Sequence, residues 1–235
     1  MMFSFDGFDR VVEANDFWTL EIGELNVMIS SGHADDAVSR KGISLVVGCP
    51  MPETVLSYVG GLRSIIGSEL CRRGMEEPIW RKDLSALHVT VYGVTRPADY
   101  RQDSRPLSET LLDDCEEIVR GRLPFKLAYQ GFGILGRGAI AVRVCDSDEL
   151  MQMRLLISRL PEASRPGYVE LNSINQMVIG RLPASLGPGD AQALKELYSA
   201  FQNSDEVEST VEELALVHYE HEFLDRVSGR LSLPH

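Results

Sequence analysis

Histidine and threonine stand two residues apart in Leu87-His88-Val89-Thr90-Val91-Tyr92, inside a run that is otherwise apolar or aromatic. Side chains alternate across a β-strand, so this run, read as a strand, projects His88, Thr90 and Tyr92 together and sends Leu87, Val89 and Val91 into a core behind them. An imidazole beside a hydroxyl suits phosphate chemistry. The ring can move a proton near neutral pH, and the hydroxyl can donate to a phosphoryl oxygen. A buried histidine with satisfied nitrogens would give the same triplet, so the pattern becomes a site only if a second group faces it. A candidate for that second side is Asn175-Gln176-Met177-Val178-Ile179-Gly180-Arg181-Leu182, again a short apolar strand followed by a turn and a helical segment.

The two strands resemble the paired His-x-Thr/Ser motifs of the 2H phosphoesterase superfamily, the group of RNA 2′,3′-cyclic phosphodiesterases and 2′-5′ RNA ligase-like proteins. The resemblance implies an α+β, bilobal fold in which two pseudo-symmetric strand-helix lobes surround a central cleft, one motif on each side. The first motif matches at His88 and Thr90, whereas the second holds Gln176 and Val178 where the family has histidine and a hydroxyl residue. In the family's intact site one histidine takes the proton of the attacking water or hydroxyl, the other protonates the leaving oxygen, and the hydroxyls hold the phosphoryl oxygens, with no metal or cofactor. The family also carries a basic residue near the end of the second motif, which here is Arg181.

Gln176 changes what such a site can do, because an amide orients water or donates to phosphate but does not shuttle protons at neutral pH. Three resolutions follow. The reaction can need only one proton transfer, another residue can replace the missing imidazole, or the pocket can bind without catalysing. The best replacement is His218 in Leu214-Ala215-Leu216-Val217-His218-Tyr219. Its strand face also carries Leu214 and Leu216, which argues equally for a histidine buried at a rim. The expected site therefore has His88, Thr90, Gln176 and His218 in catalysis, Tyr92, Val178 and Arg181 at the substrate, and no metal or cofactor. The expected function is a metal-independent phosphoesterase or cyclic phosphodiesterase with His88 as general acid or base. The alternative is an inactive relative that binds a nucleotide or a protein partner.

The elements that must position these residues are legible in the patterning. Residues 43–48 read as a strand closed by Pro50 and Pro52. From Glu53 to Cys71 apolar residues recur at three- and four-residue spacing, which predicts an amphipathic helix. A second helix is expected from Ser108, as N-cap, to Arg120, strands over Phe125–Tyr129 and Ala139–Val144 around Gly136-Arg137-Gly138, and an acid-capped helix from Asp148 to Leu160. After the Gln176 strand come the Gly187-Pro188-Gly189 turn, a helix from Ala191 to Gln202 and one strand from Val211 to Tyr219. Strand-helix-strand twice over, with short strands and mixed pairing, fits a bilobal domain over residues 43–235. Residues 1–42 read as an added hairpin and polar loop.

The formal net charge of −12 makes the average surface repel nucleic acid, which excludes long RNA held by nonspecific phosphate contacts. A local positive cleft still admits a small phosphorylated molecule, a nucleotide or a single RNA terminus. Arg81, Lys82, Arg96 and Arg181 lie close in sequence to the motif strands and are candidates to line one. No apolar run approaches a membrane span and no leader is recognisable, so a soluble, cytoplasmic protein is expected. Cys49, Cys71, Cys115 and Cys145 are scattered, with no Cys-x-x-Cys and no histidines at ligand spacing, and read as reduced, mostly buried thiols without disulfide or zinc.

Overall fold

The computed structural model describes residues 42–80, 84–93, 109–135, 139–145, 147–160, 175–183, 186, 190–201, 204–221 and 224–232. The expected N-terminal hairpin, Arg81, Lys82, Arg96, Ser108 and the two glycine turns lie outside the described residues.

In chain order the elements are β1 (Gly42–Gly48), α1 (Glu53–Arg72), β2 (Ile79–Trp80), a 3-10 turn (Leu84–Ala86), β3 (His88–Gly93), α2 (Glu109–Arg120), β4 (Phe125–Leu135), β5 (Ala139–Val144), α3 (Asp148–Ser158), β6 (Gln176–Arg181), α4 (Ala191–Phe201), β7 (Val207–Val211), β8 (Glu213–His221) and β9 (Leu224–Ser232). The periodicity of α1 becomes a buried stripe of Val55, Val59, Leu62, Ile66 and Leu70. Its end is sealed by Gly74, at φ 75°, with the Met75 N–H returning 3.0 Å to the Leu70 carbonyl. Helix α3 is capped by the Ser147 hydroxyl, 3.3 Å from the Leu150 N–H, and not by an acid: Asp148 and Glu149 sit in the first turn instead.

The strands form a four-stranded sheet, β3-β1-β8-β9, and a five-stranded sheet, β2-β6-β5-β4-β7. Every strand pair among the described residues is antiparallel, which corrects the expected mixed pairing. The order shows two copies of one unit, β1-α1-β3-α2-β4 and β5-α3-β6-α4 continued into β7 and β8. In each copy the first two strands pair with each other and the last strand joins the other copy's sheet. One helix of each copy crosses as well: α1 lies against β4 and β7 of the five-stranded sheet and α3 against β3 of the four-stranded one, while α4 and α2 stay with their own copies' sheets, at β4 and β9. Two lobes that trade strands and helices bury one continuous core, running from Leu45 and Leu87 to Val211 and Leu214.

Two sequence readings are corrected here. The strand expected over Val211–Tyr219 is two strands in different sheets, β7 ending at Val211 and β8 starting at Glu213, with exposed Glu212 as the crossing point. The segment after it, expected only as a chain end, forms β9. No helix among the described residues is long and apolar enough to cross a membrane.

Core burial gives the fold an alkaline limit. Burial, with Asp114 nearby, pushes the Cys115 thiol up to about 12, and burial pushes the Tyr129 hydroxyl up to about 12. Both groups bind protons more tightly folded than unfolded, so their contribution is complete below their ordinary values of 9.0 and 10.0 and is lost as pH rises toward 12. Unfolding free energy measured by denaturant titration is expected to fall by roughly 3–6 kcal/mol between these limits, and Cys115→Ala to remove the part that begins near pH 9. A flat profile from pH 9 to 12 in the parent would show that neither group is held in the core as described.

Candidate functional site

The two motif strands occupy equivalent places. β3 is the outer strand of the four-stranded sheet, β6 pairs with β5 and has only the two-residue β2 on its outer side, and β3 and β6 come into contact across the lobes. Both show the same burial sequence: half-buried, buried, half-buried, buried, buried, half-buried. The repeat comes from a matched pair of β-bulges. Along β1 the partner steps from Tyr92 to Thr90 and skips Val91, and along β5 it steps from Gly180 to Val178 and skips Ile179.

The bulges decide which side chains share a face of each motif strand. His88, Thr90 and Gly93 lie on one face of β3, while Val91 and Tyr92 both enter the core. Tyr92 is only 3% exposed and does not project beside His88 and Thr90, which corrects its assignment to the substrate: simple alternation fails at the extra residue. The bulge in β6 has the opposite effect. It returns Arg181 to the face of Gln176 and Val178, since their partners Ala139, Ala141 and Arg143 alternate regularly along β5. Arg143 is half-buried, lies directly across from Gln176 on this face, and was missed in the sequence, although one charge in Ala139-Ile140-Ala141-Val142-Arg143-Val144 was a visible signal.

His88 is half-buried, with Nδ1 3.0 Å from the Ala86 carbonyl oxygen. A carbonyl only accepts, so Nδ1 donates in this bond, and proton transfer by this ring would run through Nε2. The base of the motif is tightly built. Gly48, opposite His88 in β1, has φ 105°, and a Cβ there would stand 2.7 Å from the Leu87 carbonyl oxygen, which also accepts from the Cys49 N–H at 3.2 Å. Gln176 is half-buried, and its Oε1 is buried with no hydrogen-bond partner among the described residues. A buried acceptor left without a donor costs about 1–3 kcal/mol, so this atom favours a ligand or water that donates to it. Val178 is half-buried on the same face and packs against the main core.

Behind the strands stand two arginines, each reaching over from a helix of the other repeat. Arg154 of α3 is 1% exposed; it donates from Nε to the Val91 carbonyl at 3.1 Å, from Nη2 to the Thr90 carbonyl at 2.6 Å and from Nη1 to Asn175 Oδ1 at 2.5 Å. One guanidinium thus spans the end of the first motif and the residue that precedes Gln176. Arg63 of α1 donates from Nη2 to the Ile179 carbonyl at 2.8 Å and lies 5.7 Å from the centre of the Trp80 ring. A bulge leaves a residue out of the ladder, and in both motifs an arginine bonds the carbonyl of that residue.

The structure does not bring His218 to His88. His218 pairs with Ile43, five residues along β1 from Gly48, the partner of His88, which is about 16 Å along the strand. Strand alternation puts its position on the side of Leu45 and Leu216, and Thr90 shares the other side with Val46 and Ala215. Among the described residues no group of three or more His, Cys, Asp or Glu residues is placed to hold a metal ion. The cysteines are free thiols; Cys49 and Cys115 are buried, but Cys71 is exposed and Cys145 half-buried.

Comparison with solved structures finds the same architecture elsewhere. The crystal structure of a phosphoesterase superposes with a TM-score of 0.50 at 12% identity, over 83% of this chain and 99% of that one. E. coli LigT, complexed with NADP+, gives 0.48 at 13% identity, over 84% and 99%, and Kluyveromyces marxianus Usb1 with uridine monophosphate gives 0.48 at 12%, over 83% and 100%. No family model and no curated protein matches the chain. At 12% identity the likeness concerns the fold alone, and that fold is the bilobal α+β arrangement that the sequence resemblance implied.

Proposed function

We propose that the cleft between β3 and β6 binds the phosphate of a small nucleotide or an RNA terminus, and that the protein is a metal-independent phosphoesterase of cyclic phosphodiesterase type. The observation that carries this reading is His88 held with its proton on Nδ1, beside Thr90, on a strand that meets the Gln176, Val178 and Arg181 face of the other lobe. Arg143 and Arg181 give that face positive charge in a chain that is acidic overall. In the proposed reaction His88 Nε2 takes a proton from water, the water oxygen attacks phosphorus, and the bond to the leaving oxygen breaks. Thr90 donates to a phosphoryl oxygen. Gln176 orients the water or the phosphate and supplies no proton, so the leaving group departs as its anion. Substrates with an acidic leaving oxygen are therefore favoured over those that expel an alkoxide.

A specific observation favours a second reading, a binder without turnover: both chemically active positions of the second motif are replaced, and no second imidazole stands near His88 among the described residues. Titration with 3′-AMP, followed through the His88 ring resonances, tests the shared premise. Nucleotide is expected to shift them, and adenosine at the same concentration to leave them in place. Ring signals indifferent to the nucleotide would remove His88 from any phosphate site.

A further inference from the structure

Several cations of the described surface are matched by carboxylates: Arg72 and Arg73 by Glu69, Arg73 also by Glu196, Arg120 by Glu116 and Lys126 by Glu208. Arg154 is different. It is 1% exposed, and among the described residues its partners are the Thr90 and Val91 carbonyls, Asn175 Oδ1 and, at 3.8 Å, Met151 Sδ, all of them neutral. Burial holds its guanidinium down to about 10, still charged at neutral pH. A buried charge compensated only by dipoles is expensive, and an anion close by lowers that cost. The carbonyls it grips belong to the strand whose His88 and Thr90 face the cleft, and Asn175 leads directly into Gln176. The charge is therefore built into the wall at the junction of the two motifs.

We infer that Arg154 is a positioning residue whose counter-ion is the ligand's phosphate: it fixes the spacing of the Thr90 and Gln176 strands and attracts the anion bound between them without touching it. This rests on the reading of the cleft as a phosphate site. Arg63, its counterpart on the other bulge, is half-buried and lies over Trp80, so it is the weaker source of field at the cleft.

The experiment is a calorimetric titration of inorganic phosphate at constant ionic strength into the full chain, with thermal unfolding recorded for each variant. Arg154→Lys keeps the charge and loses the fork, whereas Arg154→Met and Arg154→Gln lose the charge; Gln still donates to a carbonyl and serves if Met does not fold. Expected is an affinity within about threefold of the parent for Lys and a loss of about tenfold or more for the neutral variants. Equal weakening in Lys and Gln would overturn the electrostatic role and leave a purely structural brace. Parent-like affinity in Gln would overturn the inference altogether while the phosphate site stood. A parent that binds no phosphate would overturn the cleft reading itself, and this inference with it.

Discussion

His88→Ala is expected to lower turnover of a 2′,3′-cyclic nucleotide, or of an aryl phosphodiester, by about 10²- to 10⁴-fold, the usual effect of deleting a general base. The ring is half-buried, with Nδ1 3.0 Å from the Ala86 carbonyl oxygen, while Leu87 and Val89 beside it hold the strand in the core. The fold is therefore expected to survive, with unfolding free energy changed by about 1 kcal/mol. Loss of kcat with nucleotide affinity kept would assign His88 to proton transfer, because the phosphate contacts assigned to Thr90 and Arg181 remain. Identical rates for the parent and His88→Ala across cyclic and linear substrates would exclude these activities and leave the binder.

Much of this was legible in the sequence because it is local. Four residues of alternating burial, His88 to Val91, identify β3, and the spacing of Val55, Val59, Leu62, Ile66 and Leu70 identifies α1. What was not legible depends on pairing. Nothing in His88-Val89-Thr90-Val91-Tyr92 says that β1 skips Val91; that is settled by the fit of two strands, and it moves Tyr92 into the core and its counterpart shift moves Arg181 out. The run from Val207 to His221 has strand character throughout, and only the existence of two sheets explains why it divides at Glu212.

Arg154 was readable in principle. Leu150, Met153 and Ile157 mark the buried face of α3, and Arg154 falls four residues after Leu150 on that stripe, where an apolar residue belongs. A charge on a core stripe must have partners inside, and a search for its acceptors would have led to the far motif. The same reasoning applies to Arg143 in an apolar strand. Both are cases where the local rule is broken at the site, which is where such breaks are expected.

Gln176→His installs at one motif position the residue of the family that the sequence resembles and is expected to raise turnover, most of all for substrates that expel an alkoxide. A second imidazole can protonate the leaving oxygen, a step worth about 10²- to 10⁴-fold in full. The single variant is expected to recover only about tenfold of this. Arg143 on β5 pairs directly with residue 176 and its positive charge disfavours the imidazolium needed as acid, and in the single variant Val178 still lacks the hydroxyl that would hold the phosphoryl oxygen. Gln176→His combined with Val178→Thr is expected to approach about 100-fold, since both sites lie half-buried on one face, where an added hydroxyl keeps access to water or phosphate. The decisive measurement is the ratio of rates for aryl and alkyl leaving groups. The parent should discriminate strongly for the aryl ester, because its leaving group departs unprotonated, and the double variant should discriminate less. A double variant that binds nucleotide as the parent does, yet shows the same ratio and no gain in rate, would mean that the amide at 176 is not what limits this site.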